Sequence, residues 1–135
     1  VGAAHVILLD TNVLVDLHRY RLDTAERYAA SILSRAELEF GVLAARDPHV
    51  AADRLRWLHD LDDRFDWLEF DVAAGRSYGI VAAAARATGA KVRGKDALIA
   101  AQAHRHGAAV LTANPADFRP FDHLVRVLAP TPREA

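Results

Sequence analysis

Val6, Ile7, Leu8 and Leu9 make an unbroken apolar run that stops at Asp10. A run without polar alternation predicts a strand buried on both faces, the kind found inside parallel sheets. Beyond Thr11 and Asn12, apolar positions resume at Val13, Leu14 and Leu17, which predicts a helix. The stretch from Asp16 to Arg27 is charged and loses that periodicity beyond Leu17, Tyr20 and Leu22, so the helix is expected to end near there. Ala29 to Leu33 reads as a second buried strand. Ser34 and Glu37 then fit the S-x-x-E capping box, followed by an apolar helical face at Leu38, Val42 and Ala45.

Asp47-Pro48 is expected to break that helix. From Val50 to Phe65, apolar residues at Val50, Leu55, Leu58 and Leu61 alternate with charges, the pattern of an amphipathic helix. Trp67 to Phe70 predicts a third strand ending at Asp71. Val72 to Thr88 predicts a long Ala-rich helix capped by Gly89. A basic loop, AKVRGK, leads to Asp96 and a helix apolar around most of its circumference until His104, with Gly107 as its stop. Ala108 to Thr112 predicts a fourth strand, Ala113 to Arg119 a turn-rich loop, and Leu124 to Leu128 a fifth strand. Pro130 and Pro132 suggest a short frayed tail from about residue 129. Strands alternating with helices predict an α/β domain, its parallel sheet covered by helices on both faces.

The 135 residues suit a single domain spanning 1–135, able to bury roughly 68% of its unfolded surface. A net charge of −1 gives no global attraction to a polyanion, so nucleic acid would need a local basic patch or bound cations. The absence of cysteine removes disulfides, zinc–thiolate sites and thiol nucleophiles, and fits a reducing compartment. No apolar run approaches the ~18 residues of a membrane span. The N-terminal stretch lacks a basic segment leading into an apolar one. A cytoplasmic protein is expected.

Four acids carry the candidate chemistry, and each has an ordinary explanation. Asp10 can cap the following helix, Glu37 can complete the capping box with Ser34, and Asp96 can complement a helix macrodipole. Asp117 lies in a turn opened by Asn114-Pro115. Their joint placement says more. Asp10 and Asp117 follow the first and fourth strands, Glu37 begins the helix after the second, and Asp96 opens the helix before the fourth. In a doubly wound sheet these ends share one edge, where ligands bind. Two unit charges 4 Å apart repel by roughly 4 kcal/mol at an effective dielectric of 20, so such a cluster calls for a cation. A ligand set of hard oxygens favours Mg²⁺ or Mn²⁺ over zinc, and that is the chemistry of a metal-dependent nuclease.

LLDTNVLVDL, SRAELEFGV, KDALIAAQA and LTANPADF, in this order, resemble the four signature segments of PIN domains, and most of all those of VapC-type toxins from bacterial toxin–antitoxin pairs. The match spans residues 6 to 118. The resemblance implies a three-layer α/β/α sandwich around a five-stranded parallel sheet and a Mg²⁺-dependent endoribonuclease. It also implies a homodimer and inhibition by a small VapB-like antitoxin whose peptide occupies a groove and the active site. Asp10, Glu37, Asp96 and Asp117 match the family's acidic quartet as catalytic and metal-holding residues. Thr11, Asn12, Thr112 and Asn114 match its supporting polar positions. The chain departs from the pattern at Ala113-Asn114-Pro115, where many relatives carry a basic or acidic residue.

Other residues carry less. Glu39 rivals Glu37, but two residues along a helix it points well away. Lys91, Arg93 and Lys95 can reach an RNA backbone, or belong to a solvated loop. His104 and His106 share no helix face and so make a poor metal pair. Trp57, Leu58 and Leu61 suit core packing or an antitoxin groove, and Arg35 and Arg86 are weak candidates for RNA or antitoxin contact. Three other readings use the same acids: a phosphotransferase of the haloacid-dehalogenase kind with Asp10 as nucleophile, another metal-dependent phosphohydrolase, and a non-catalytic RNA- or protein-binding module. The phosphotransferase reading meets Asn12 where such enzymes carry a second Asp.

Overall fold

The computed structural model describes residues 6–134. Its main sheet has five parallel strands in the order β4-β3-β1-β5-β6: β1 (Val6–Leu9), β3 (Arg27–Ser31), β4 (Trp67–Leu68), β5 (Ala109–Leu111) and β6 (Val127–Leu128). The helices are α1 (Thr11–Val15), α2 (Ile32–Ala44), α3 (Pro48–Arg64), α4 (Val72–Ala87) and α5 (Gly94–His106), with 3₁₀ turns at Leu17–Arg19 and Pro115–Phe121.

The continuous apolar run of β1 is explained by burial on both sides. Leu8 joins Val110 in a core built against α4, α5 and the Phe118–Phe121 turn. Ile7 and Leu9 point the other way and pack with Ala109 and Leu111 against α1 and α3. Two cores flanking one sheet make the expected three-layer sandwich.

The chain winds outward from β1 through β3 and β4, then crosses to the opposite side for β5 and β6. The crevice at such a reversal lies beyond the C-terminal ends of the strands, here between β1 and β5. Gly107 makes the tight turn into β5. Its φ of 60° is left-handed, and it lets Ala108 N–H reach back to the Ala103 carbonyl at 2.8 Å.

Several boundaries differ from the sequence reading. The second strand is Arg27–Ser31 rather than Ala29–Leu33, because Ser31 turns its hydroxyl onto Leu33 N–H at 3.0 Å and opens α2. The Ser34–Glu37 capping box therefore does not form, and Ser34 lies fully buried inside the helix. Asp47-Pro48 does more than end α2, since Asp47 caps α3 and Pro48 takes its first position. The final helix begins at Gly94, before Asp96. The third and fifth strands shrink to two residues each.

The tail expected to fray is instead paired. Tyr20–Arg21 (β2) and Thr131–Pro132 (β7) form a short antiparallel ladder, and Arg133 N–H bonds the Arg19 carbonyl at 2.9 Å. Among the described residues, no helix is long and apolar enough to cross a membrane.

Candidate active site

Asp10 leaves β1 in extended conformation and caps α1, one carboxylate oxygen accepting from Thr11 N–H at 2.8 Å. The other oxygen accepts from the Thr112 hydroxyl at 2.9 Å, just past β5. The side chain is thus gripped from both sides of the crevice. Asn12 completes the grip, its amide lying 3.4 Å from the Thr112 hydroxyl and its oxygen accepting from Ala113 N–H at 3.1 Å. Asn114 contributes its backbone, whose N–H bonds the same hydroxyl at 3.1 Å. The side chain of Asn114 makes no capping bond.

Asp96 lies in the first turn of α5 and is 9% exposed. Burial pushes its carboxyl above the ordinary value, and the charges of Asp10 and Asp117 push it further. Lys95 and Arg93 partly oppose them. Asp117, in the first turn of the Pro115–Phe121 segment, pairs loosely with Arg93 at 3.8 Å.

Glu37 reaches the cluster from α2. One oxygen lies 2.6 Å from Lys95 Nζ and the other 3.1 Å from the Thr11 hydroxyl. The Thr11 hydroxyl is also 2.8 Å from Ser34 Oγ. One hydroxyl carries one proton and the carboxylate only accepts, so the order Ser34 to Thr11 to Glu37 satisfies all three.

The structure therefore brings Asp96 within electrostatic range of both Asp10 and Asp117, with Glu37 joined to the cluster through Thr11 and Lys95. Among the described residues, no three carboxylate or histidine side chains already enclose an ion-sized space. Of the three basic residues open to RNA contact or to solvent, Arg93 and Lys95 lie against acids of the site. Lys91 stays exposed. The donor set is oxygen only, and Asp96 is held near like charges that two exposed cations, Arg93 and Lys95, relieve incompletely. An all-oxygen donor set is the chemistry that a hard divalent cation takes.

Sequence reasoning missed Ser34 as a site residue because it filled the more familiar role of a cap; the signal available was a second serine, Ser31, three positions earlier. Arg35 is partly buried. It forms a two-pronged bridge to Asp62 at 2.8 and 2.9 Å, joining α2 to α3.

An open parallel α/β domain with acids and small polar side chains lining its strand-end crevice is the class that fold and site define. The chain matches the PIN domain family over residues 7–124 and belongs to it. It is 36% identical over 110 residues to Ribonuclease VapC4 of Mycobacterium tuberculosis, covering 78% of this chain and 83% of that relative. A crystal structure of VapBC-5, a member of the VapBC family of toxin–antitoxin systems from Mycobacterium tuberculosis, superposes with a TM-score of 0.77 at 31% identity, over 93% of this chain and 98% of that one. FitAcB from Neisseria gonorrhoeae gives a TM-score of 0.77 at 26% identity, over 90% of this chain and 96% of that one.

Proposed function

We propose that this chain is a divalent-cation-dependent endoribonuclease, the cytoplasmic toxin of a toxin–antitoxin pair. The observation that carries the reading is the pair of buried carboxylates, Asp10 and Asp96, at the strand-end crevice, with Glu37 and Asp117 tied to the loop and helix start beside them by Lys95 and Arg93. The names of the relatives, a ribonuclease and a member of a toxin–antitoxin family, support it.

In this reading Asp10 and Asp96 hold the cation, and Glu37 and Asp117 complete the site directly or through water. Bound Mg²⁺ or Mn²⁺ supplies polarisation of the phosphodiester and an attacking water of lowered pKa. Thr112 and Asn12 fix the Asp10 carboxylate, while Thr11 and Ser34 fix Glu37. Lys95 and Arg93 pair with two of the acids and, being exposed, would also be placed to meet substrate phosphates.

A small antitoxin and a second copy of the chain are the proposed protein partners. Exposed Phe40 and Leu43 on α2, with Val15 on α1, offer apolar surface for the antitoxin to cover.

Purified protein is expected to cut single-stranded RNA with Mg²⁺ or Mn²⁺ and to stop when a chelator is added. Asp10→Asn is expected to lower the rate by about a hundredfold or more with an unchanged circular dichroism spectrum. Full-rate cleavage by that variant would reject the assignment.

A further inference from the structure

We infer that a cationic cavity beside α3 is a phosphate-binding site that holds the RNA backbone a short distance from the acids, an inference that rests on the nuclease reading above. The cavity, of about 590 Å³, is walled by the Leu17–Leu22 segment, by Trp57 and Arg64 of α3, and by Arg133 and Glu134 after β7. Arg21, Arg64, Arg133 and His18 line it, against Glu134 as the carboxylate of its wall.

Among the described residues, five basic side chains are matched by acids. Arg35, Arg56, Arg93, Lys95 and Arg105 each lie within ion-pair distance of an acid. Among the described residues, Arg21, Arg64 and Arg133 have no such partner, as is true of Lys91, Arg126 and others outside the cavity; what sets the three apart is that they line one cavity. Like charges gathered in a cavity are unfavourable until an anion enters.

Two of the guanidinium groups are in place before any ligand arrives. Arg133 donates from Nε to the Tyr20 carbonyl at 3.1 Å, and its own N–H holds Arg19. Its two terminal nitrogens are left for a second contact. Arg64 lies over the Trp57 ring, 5.5 Å from its centroid, and Trp57 is itself tied to the Leu14 carbonyl at 2.9 Å. Planar guanidinium forks match phosphate oxygens, and holding them early reduces the ordering cost of binding.

Trp57 also connects this cavity to the acids. It lines both the cavity and an apolar slot whose other walls include Thr11, Glu37, Leu38 and Leu58. Thr11 opens α1 and Leu17 opens the 3₁₀ turn that follows it, so this one short stretch of chain runs from the slot to the cavity wall. A single strand leaving Glu37 along the slot would lay bases on the apolar walls and bring its backbone to the arginines, the division of roles used by single-strand-binding grooves.

The test is fluorescence anisotropy with a labelled single-stranded oligoribonucleotide, run with chelator so that nothing is cut. Arg21→Gln/Arg64→Gln is expected to weaken binding about tenfold and to reduce the slope of log affinity against log salt by about 1.4, or about 0.7 per lost contact. Arg126→Gln, which removes one exposed cation elsewhere, should change affinity less than twofold. Arg133→Gln serves as a further variant, with thermal melting to check that β7 stays paired. Unchanged affinity and slope in the double variant overturn the proposal. So does an effect of that variant on an acidic peptide or on inorganic phosphate but not on the oligonucleotide. Because the assay needs no cleavage, absence of metal-dependent cutting would remove the nuclease reading while a binding loss in the variant kept the phosphate site.

Discussion

Asp96 and Asp62 are the same residue type placed in opposite circumstances. Asp62 accepts both prongs of the Arg35 guanidinium and a bond from Trp67 Nε1 at 2.8 Å. The hydrogen bonds from Arg35 hold its carboxyl below the ordinary value, with Trp67 adding to the effect against the opposing influence of burial. Asp96 is more deeply buried and faces two further acids, and burial followed by the charge of Asp10 drives it the other way. One carboxylate is satisfied by the fold and clamps α2 to α3. The other is left in electrostatic debt inside a crevice. Perturbation of the second kind, desolvation together with specific like charges, is what separates a candidate site from a structural bridge.

Removing the charge of each acid should therefore have opposite consequences. Asp96→Asn is expected to reduce RNA cleavage by about a hundredfold or more while raising the melting temperature in chelator. Mg²⁺ should stabilise the wild type by mass action and leave this variant nearly unmoved. A lower melting temperature for Asp96→Asn in chelator would break the comparison.

Asp62→Ala should cost about 2 kcal/mol, from two charge-assisted bonds and one indole bond lost at a partly exposed site. At this chain length that is a fall of roughly 8 °C in melting temperature, with cleavage at permissive temperature kept within a fewfold.

The pH dependences should also run in opposite directions. The stability that Asp62 contributes is present above the ordinary aspartate pKa of about 3.9 and is lost as pH falls through its lowered folded value. The wild type's advantage over Asp62→Asn should shrink on acidification. For Asp96 the folded value is raised, so its stabilising share is present at low pH and lost as pH rises through that value. The advantage of Asp96→Asn over wild type should thus appear on raising the pH. Urea melts of the three proteins across a pH series check both signs.

The smallest effect is expected from Ser34→Ala, which leaves the Thr11 hydroxyl without its buried neighbour. It should cost about 1 kcal/mol and slow cleavage a fewfold through a less firmly held Glu37. If instead melting falls and the cleavage rate at permissive temperature is untouched, Ser34 is only a packing residue.

Much of this was legible in the residues. The unbroken run from Val6 to Leu9, the alternation of strands with helical periods, and Gly107 at a helix end announce a parallel α/β domain, because burial on both faces and positive φ leave local marks. Asp10 was visible as the acid that ends the first strand. Its partner Thr112 lies 102 positions away, and its grip depends on β5 lying next to β1. Ser31 and Ser34 were both plausible caps, and the point where β3 leaves the sheet chose between them. The basic loop was equally open to solvent or to RNA until the helix start at Gly94 set Lys95 against Glu37.

The sequence by itself determined which stretches are buried, where they turn, and which chemical groups stand at strand ends, since those properties follow from local periodicity and backbone preference. The tertiary structure alone decided which charges meet: the partner of Glu37, the isolation of Asp96 among acids, the pairing of β2 with β7, and the arginines that pairing gathers. Electrostatic energy depends on distances between segments far apart in the chain, and only the packed sheet sets those distances.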